Sequence, residues 1–201
     1  MDETTQRLDP VAVYVRVGPQ TPLPSRWHSE DHFTVTRLDS TRGLQDSIYK
    51  SSAARALLVS VPLCPLPAGA YGLWADGKAI ASRDVEAFRS NVLDVSAGPG
   101  CWAGSAFDFV HFHVPRGPMD EQAADLGYEK VREFRLSVLE EDLVLAQLTK
   151  AILPSLDGTG RASVLALDQL ELILGAHLLQ RYGAVRSTRA LQKADLAAWQ
   201  Q

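Results

Sequence analysis

The chain has 201 residues, 46% of them hydrophobic and 22% charged, which is enough for one domain with a buried core or for two small ones. Its formal net charge of −4 offers no basic surface to a nucleic-acid backbone, so we expect any DNA-reading part to lie outside these residues. The two cysteines, Cys64 and Cys101, lack CxxC spacing, which argues against a disulfide framework and a zinc ribbon. A polar N-terminus and the lack of a long apolar run predict a cytoplasmic, soluble protein with no membrane partner.

The first half of the chain predicts short strands separated by turns. Alternating or continuous apolar, β-branched and aromatic residues mark strands over 11–17, 33–38, 56–61, 71–75, 78–82 and 91–95. Asp76-Gly77 is typical of a two-residue hairpin turn, because the second position tolerates a positive φ. Strands at this spacing favour an antiparallel sandwich or barrel.

The stretch 107–116 predicts a strand that is buried on both faces, because apolar or aromatic residues occupy both parities. Pro115 ends the ladder, since proline has no N–H to donate. The alternation places four side chains on one face: Phe107, Phe109, His111 and His113. The two histidines then have three interpretations, namely a metal site, a ligand contact or a buried structural pair.

After this strand the pattern becomes helical. Gly117-Pro118 predicts the start of a short helix that ends at Gly127. The capping-box pattern Ser137-Val138-Leu139-Glu140 predicts the start of a second helix, and Pro154 its end. A third helix is predicted from about Ala162 to Tyr182.

The apolar arc of the third helix is wider than one packing partner needs. A dimer interface or burial within one chain explains this width equally well. We assign the main stripe to a dimer interface, which contains Leu167, Leu170, Leu174, His177, Leu178 and Arg181.

Three segments together resemble the regulatory domain of AraC-family transcriptional regulators. They are the Asp108-x-x-His111-Phe112-x-x-Pro115-Arg116 strand, the stretch Leu57–Leu63, and the helix end His177-Leu178-x-x-Arg181-Tyr182-Gly183. Leu196-Ala197-Ala198-Trp199-Gln200 is also similar to the segment that precedes the DNA-binding half of such regulators. Ala194 and Asp195 stand where that segment has two glycines.

The resemblance implies an α+β fold, in which a cupin-like antiparallel β-barrel is followed by a helical segment. It divides the chain into a β-rich barrel over 1–116, a helical dimerisation segment over 117–183 and a linker over 184–201. It implies an effector-sensing and dimerisation domain, which forms a homodimer, binds a small-molecule effector and reaches DNA only through a helix-turn-helix domain outside the chain.

Aromatic residues in or near strands, together with the histidine pair, are the candidate ligand contacts: Trp27, Tyr49, Trp74, Trp102, His111 and His113. A cupin-type metalloenzyme that uses His111 and His113 is the alternative, but the next acid after His113 is Asp120, at a predicted helix start. A third possibility is an oligomerisation module without an effector.

Enzyme motifs are missing from the sequence. It contains no Gly-x-Ser-x-Gly, no cysteine next to a histidine, and no glycine-rich phosphate loop after a strand. We therefore expect no catalytic activity and no cofactor.

Overall fold

The computed structural model describes residues 11–16, 32–43, 49–50, 55–81, 84–156 and 163–184. The strands over these residues are β1 (Val11–Arg16), β2 (Thr34–Ser40), β3 (Tyr49–Lys50), β4 (Ala56–Pro62), β5 (Tyr71–Ala75), β6 (Lys78–Ala81), β7 (Arg89–Asp94), β8 (Gly100–Ala103), β9 (Phe107–Pro115) and β10 (Ser137–Glu141). The helices are α1 (Arg116–Asp125), α2 (Leu143–Leu156) and α3 (Val164–Arg181). None of these helices is both long and apolar enough to span a bilayer.

Six strands form the larger sheet, in the order β1-β2-β9-β4-β7-β10. β1 pairs with β2 in parallel, and the other neighbouring strands are antiparallel. β9 lies in the interior of this sheet, between β2 and β4, and every residue along it except Asp108 is buried. Both faces of this strand are therefore covered, as the apolar residues at both parities predicted.

The smaller sheet, in the order β3-β8-β5-β6, covers one face of the larger one. One hydrophobic cluster joins Leu58 and Phe109 of the larger sheet to Tyr71 and Leu73 of the smaller. The rings of Tyr71 and Phe109 stack with their centroids 6.0 Å apart. The two sheets thus pack face to face.

The three helices cover the other face of the larger sheet. Val110 and Phe112 of β9 share a second cluster with Met119 of α1, Leu145 of α2 and Leu174 of α3. The described part of the molecule therefore has three layers: the smaller sheet, the larger sheet and the helices.

The predicted α+β class is confirmed: nine strands precede α1 among the described residues, and one further strand, β10, lies between α1 and α2. The hairpin at Asp76-Gly77 is also confirmed, because β5 pairs with β6 and both turn residues have positive φ angles of 50° and 71°. Among the described strands, no ladder pair joins the two sheets, so these strands do not close into a hydrogen-bonded barrel.

The prediction of a helix that starts at Ser137 is wrong. Ser137–Glu141 forms β10, which pairs with β7, and α2 begins only at Leu143. The Oδ1 atom of Asp142 accepts hydrogen bonds from the amides of Val144 and Leu145 at 3.0 and 3.1 Å. A serine followed three residues later by glutamate favours a helix start locally, but the ladder with β7 outweighs that preference here.

Candidate functional site

A row of polar side chains crosses the face of the larger sheet that lies against the smaller one. The strand register places Thr36 and Ser60 on either side of His111, and Asn91 beyond Ser60. All four residues are at most 8% exposed. The sequence pointed to His111 but not to the row, because only the register of four strands brings these residues side by side.

Asn91 connects the row to both sheets. Its Nδ2 lies 3.4 Å from the hydroxyl of Tyr71 in the smaller sheet, and its Oδ1 accepts a hydrogen bond from the amide of Leu139 at 2.9 Å. Leu139 has a φ of 52°, which is unusual for a residue with a branched side chain. This hydrogen bond holds the irregular start of β10 against β7.

The space between the sheets at this row is small. The cavity, with a volume of about 20 Å³, is lined by Ser60, Tyr71, Cys101 and His111, among others. A space of this size holds about one water molecule. Burial raises the pKa of the Cys101 thiol to about 12, so this thiol is protonated at neutral pH. This cavity beside His111 is therefore too small for an organic ligand.

The structure does not bring the predicted ligand-binding residues into one pocket. His111 and His113 share the inner face of β9 with Phe107 and Phe109, as predicted, and His113 is 2% exposed. Tyr71 and Leu73 of β5 and Cys101 of β8 face the larger sheet. Side chains alternate between the two faces of a strand, so Trp74 and Trp102 lie on the opposite face. Their rings lie over Gly72 and Gly104, where a Cβ atom would approach them to 2.5 Å.

Trp74 and Trp102 therefore lie on the outer face of the smaller sheet, away from the histidines. The backbone of Tyr49 pairs with Cys101, but its side chain is not described, and Trp27 lies outside the described residues.

Among the described residues, no three His, Cys, Asp or Glu side chains come together as metal ligands. Neither the histidine pair nor any other described group thus offers the ligand set of a protein metal site. Cys64 and Cys101 are free thiols.

The chain matches no protein-family model, no curated protein and no solved structure.

A second polar cluster lies where the start of α2 meets the end of α3. The carboxylate of Asp142 is 1% exposed, and its Oδ2 lies 2.7 Å from His177 Nε2, 2.7 Å from the Tyr182 hydroxyl and 3.1 Å from Arg181 Nε. Arg181 also donates to the carbonyl of Glu141 at 3.1 Å. The three residues of the His-x-x-x-Arg-Tyr helix end therefore bind one carboxylate, which also caps α2.

The contacts of this cluster shift two pKa values. Burial of the Asp142 carboxylate raises its pKa, but hydrogen bonds from His177, Tyr182 and the Leu145 amide together outweigh burial, so the pKa lies below its usual range. Burial, and then the hydrogen bond to Asp142, raise the pKa of Tyr182 to about 12. At neutral pH the pair is therefore a carboxylate that accepts from a protonated phenol.

The stripe that the sequence assigned to a dimer interface faces the chain's own core, so that assignment is wrong. Leu167, Leu170, Leu174 and Leu178 are all at most 8% exposed and belong to the cluster beneath the sheet. His177 and Arg181, the other two members, contact the carboxylate of Asp142. Apolar periodicity identifies a buried stripe but does not distinguish a partner subunit from the same chain.

The opposite side of α3 carries the exposed apolar residues. Leu165, Leu172 and Ile173 are 68%, 42% and 52% exposed. At about 100° per residue, they share a stripe with three uncharged residues, Gln169, Ala176 and Gln180. We call this set of six residues the outer stripe.

Proposed function

We propose that the chain is the effector-sensing and dimerisation module of an AraC-type transcriptional regulator. We propose a cupin-like scaffold, and the two sheets packed face to face support it, since double-sheet cupins have this arrangement. DNA is read by helix-turn-helix units outside these residues, and the protein works in the cytoplasm. The sequence resemblance supports this proposal, and the cluster at Asp142 gives the helix end of the resemblance, His177-x-x-x-Arg181-Tyr182, a physical role.

The outer stripe of α3 is the observation that carries the dimerisation part of the proposal. It places three large apolar side chains in solvent on a helix whose other side is already packed. Exposed apolar side chains in one contiguous stripe mark an interaction surface. Because the stripe contains no charged residue, two copies of α3 can approach each other without like-charge repulsion.

A second copy of the chain is the occupant that we propose for the outer stripe. In a two-fold dimer the same patch meets itself, so an uncharged apolar stripe is complementary to its own copy. In such a dimer, Leu172 and Ile173 lie near the two-fold axis, in the middle of the stripe.

A reporter assay tests this function. The chain is fused to a DNA-binding domain that represses transcription only as a dimer. We expect the fusion to repress and its Ile173→Lys variant to lose repression, because a lysine in the interface has no partner for its charge. Ile80, which is 39% exposed on the β5–β6 hairpin, provides the matched control Ile80→Lys. If the two variants repress equally, the outer stripe is not the interface.

A further inference from the structure

We propose that the effector is a small organic anion and that it binds in a cleft beside the β9–α1 junction. The cleft has a volume of about 440 Å³ and is lined by Arg55, Arg116, Glu129, Lys130, Val131 and Arg132. We call it the basic cleft. The word effector rests on the proposed regulatory function, whereas the binding of an anion does not.

The charge of the basic cleft opposes that of the whole chain. Four of its residues are cationic and one is acidic, while the chain has a net charge of −4. Lys130 is paired with Asp120 at 2.6 Å, but within the described residues Arg55 and Arg132 have no carboxylate at ion-pair distance. Cations gathered on a wall of a cleft raise the local concentration of anions there.

Arg116 gives the basic cleft a fixed positive charge. Its side chain is only 10% exposed, and its Nη2 donates to the carbonyl of Val131 at 2.7 Å. Its guanidinium lies over the ring of Phe134, 4.5 Å from the centroid. Asp94 is 3.8 Å from Nη1, which is too long for a hydrogen bond, and Nε has no acceptor among the described residues. The charge of Arg116 is therefore held in place and only partly neutralised.

The basic cleft is large enough to hold an organic molecule as well as its anionic group. Ligand pockets have volumes of about 300–1,000 Å³. The basic cleft lies within this range at about 440 Å³, whereas the cavity beside His111 has only about 20 Å³. A carboxylate or phosphate group would contact Arg55 and Arg132, and the remainder of the molecule would fill the space along Val131.

The wall of the basic cleft continues into the segment that contacts the end of α3. The amide of Arg135 donates to the carbonyl of Tyr182 at 2.7 Å, and the amide of Ala184 donates to the carbonyl of Glu133 at 3.3 Å. Phe134 and Gly183 form a β-bridge between these contacts. A ligand that contacts Val131 and Arg132 would therefore also stabilise residues 182–184, which follow α3.

Isothermal titration of the full chain at constant ionic strength tests the proposal, with succinate and inorganic phosphate as probes. Dimethyl succinate is the uncharged control. We expect one or both anions to bind and the ester not to bind, and the two probes distinguish a carboxylate from a phosphate site. Arg55→Gln and Arg132→Gln should each weaken binding about tenfold, because a hydrogen bond to a charged group is lost.

Arg42→Gln is the matched control, because this exposed arginine follows β2 near the opposite end of β9. It should bind like the unmodified chain, and Arg132→Lys, which keeps the charge, should restore part of the affinity. The proposal is overturned if neither anion binds, if the ester binds equally, or if Arg132→Gln binds like Arg42→Gln. Failure of the reporter assay with intact anion binding would instead remove the regulatory function and leave the site.

Discussion

The carboxylate of Asp142 joins two helices at a single buried position. One of its oxygens caps α2, and the other accepts from His177, Tyr182 and Arg181 at the end of α3. A histidine and an arginine four residues apart lie one turn from each other on a helix, and the tyrosine that follows ends it. This geometry explains the spacing of the three donors.

Asp142→Asn should lower the free energy of unfolding by about 2 kcal/mol at pH 7, because the hydrogen bonds from His177, Tyr182 and Arg181 lose their charged acceptor while asparagine keeps the helix cap. The folded-state pKa of Asp142 is depressed, so its contribution is present above the ordinary aspartate pKa of about 3.9 and is lost as the pH falls through the folded pKa. Denaturant unfolding of the two proteins should therefore differ at pH 7, and the difference should begin to shrink only below about pH 4, as the pH falls toward the depressed folded pKa of Asp142. The exposed Asp125→Asn should unfold like the unmodified chain at both pH values.

Tyr182→Phe should cost about 1–2 kcal/mol of unfolding free energy, because the hydroxyl that donates to Asp142 at 2.7 Å is removed. In the Asp142→Asn background the cost should be smaller, since the hydrogen bond then has no charged acceptor. The control is Tyr128→Phe, because the hydroxyl of Tyr128 has no hydrogen bond within the described residues. Additive effects of Tyr182→Phe and Asp142→Asn in urea melts would show that the two groups act independently.

At the scale of elements, α1 and α3 pack closely at Gly175. A Cβ atom at this position would collide with Oε1 of Gln122, whose Nε2 donates to the carbonyl of Leu172 at 2.7 Å. The absence of a side chain at Gly175 therefore lets Gln122 connect the two helices.

The substitution Gly175→Ala should be nearly neutral in the unmodified chain. The helix propensity of alanine gains about 1 kcal/mol, while displacement of Gln122 loses a hydrogen bond worth about 1 kcal/mol. In a Gln122→Ala background the same substitution should stabilise by about 1 kcal/mol, because there is no longer a side chain to displace. Thermal unfolding of the four proteins measures this cycle, and equal effects of Gly175→Ala in both backgrounds would contradict the packing described here.

The sequence predicted those elements that local pattern determines. β9 was recognisable from apolar residues at both parities, and α3 from its long helical period, although its ends at Val164 and Arg181 differ slightly from the prediction. β10 was missed because its pairing with β7 is a long-range contact that outweighs a local capping pattern. The buried stripe of α3 was wrongly assigned to a dimer interface, because apolar periodicity does not reveal whether a second subunit or the same chain covers a stripe.

At the scale of the whole molecule, the candidate sites depend on contacts between distant segments. The row at His111 requires four strands in register, and the basic cleft joins Arg55 to residues more than sixty positions away. No local motif marks such sites, because the residues that form them are not neighbours in sequence. The aromatic residues that the sequence did single out, Trp74 and Trp102, have a different location, on the outer face of the smaller sheet.

Self-association through the outer stripe is the property on which the proposed function depends most directly. Sedimentation velocity of the unmodified chain over a micromolar concentration series measures it. We expect a reversible dimer, a monomer for Ile173→Lys and a dimer for the control Ile80→Lys. A strict monomer at every concentration, or a dimer that Ile173→Lys leaves intact, would contradict the proposed interface.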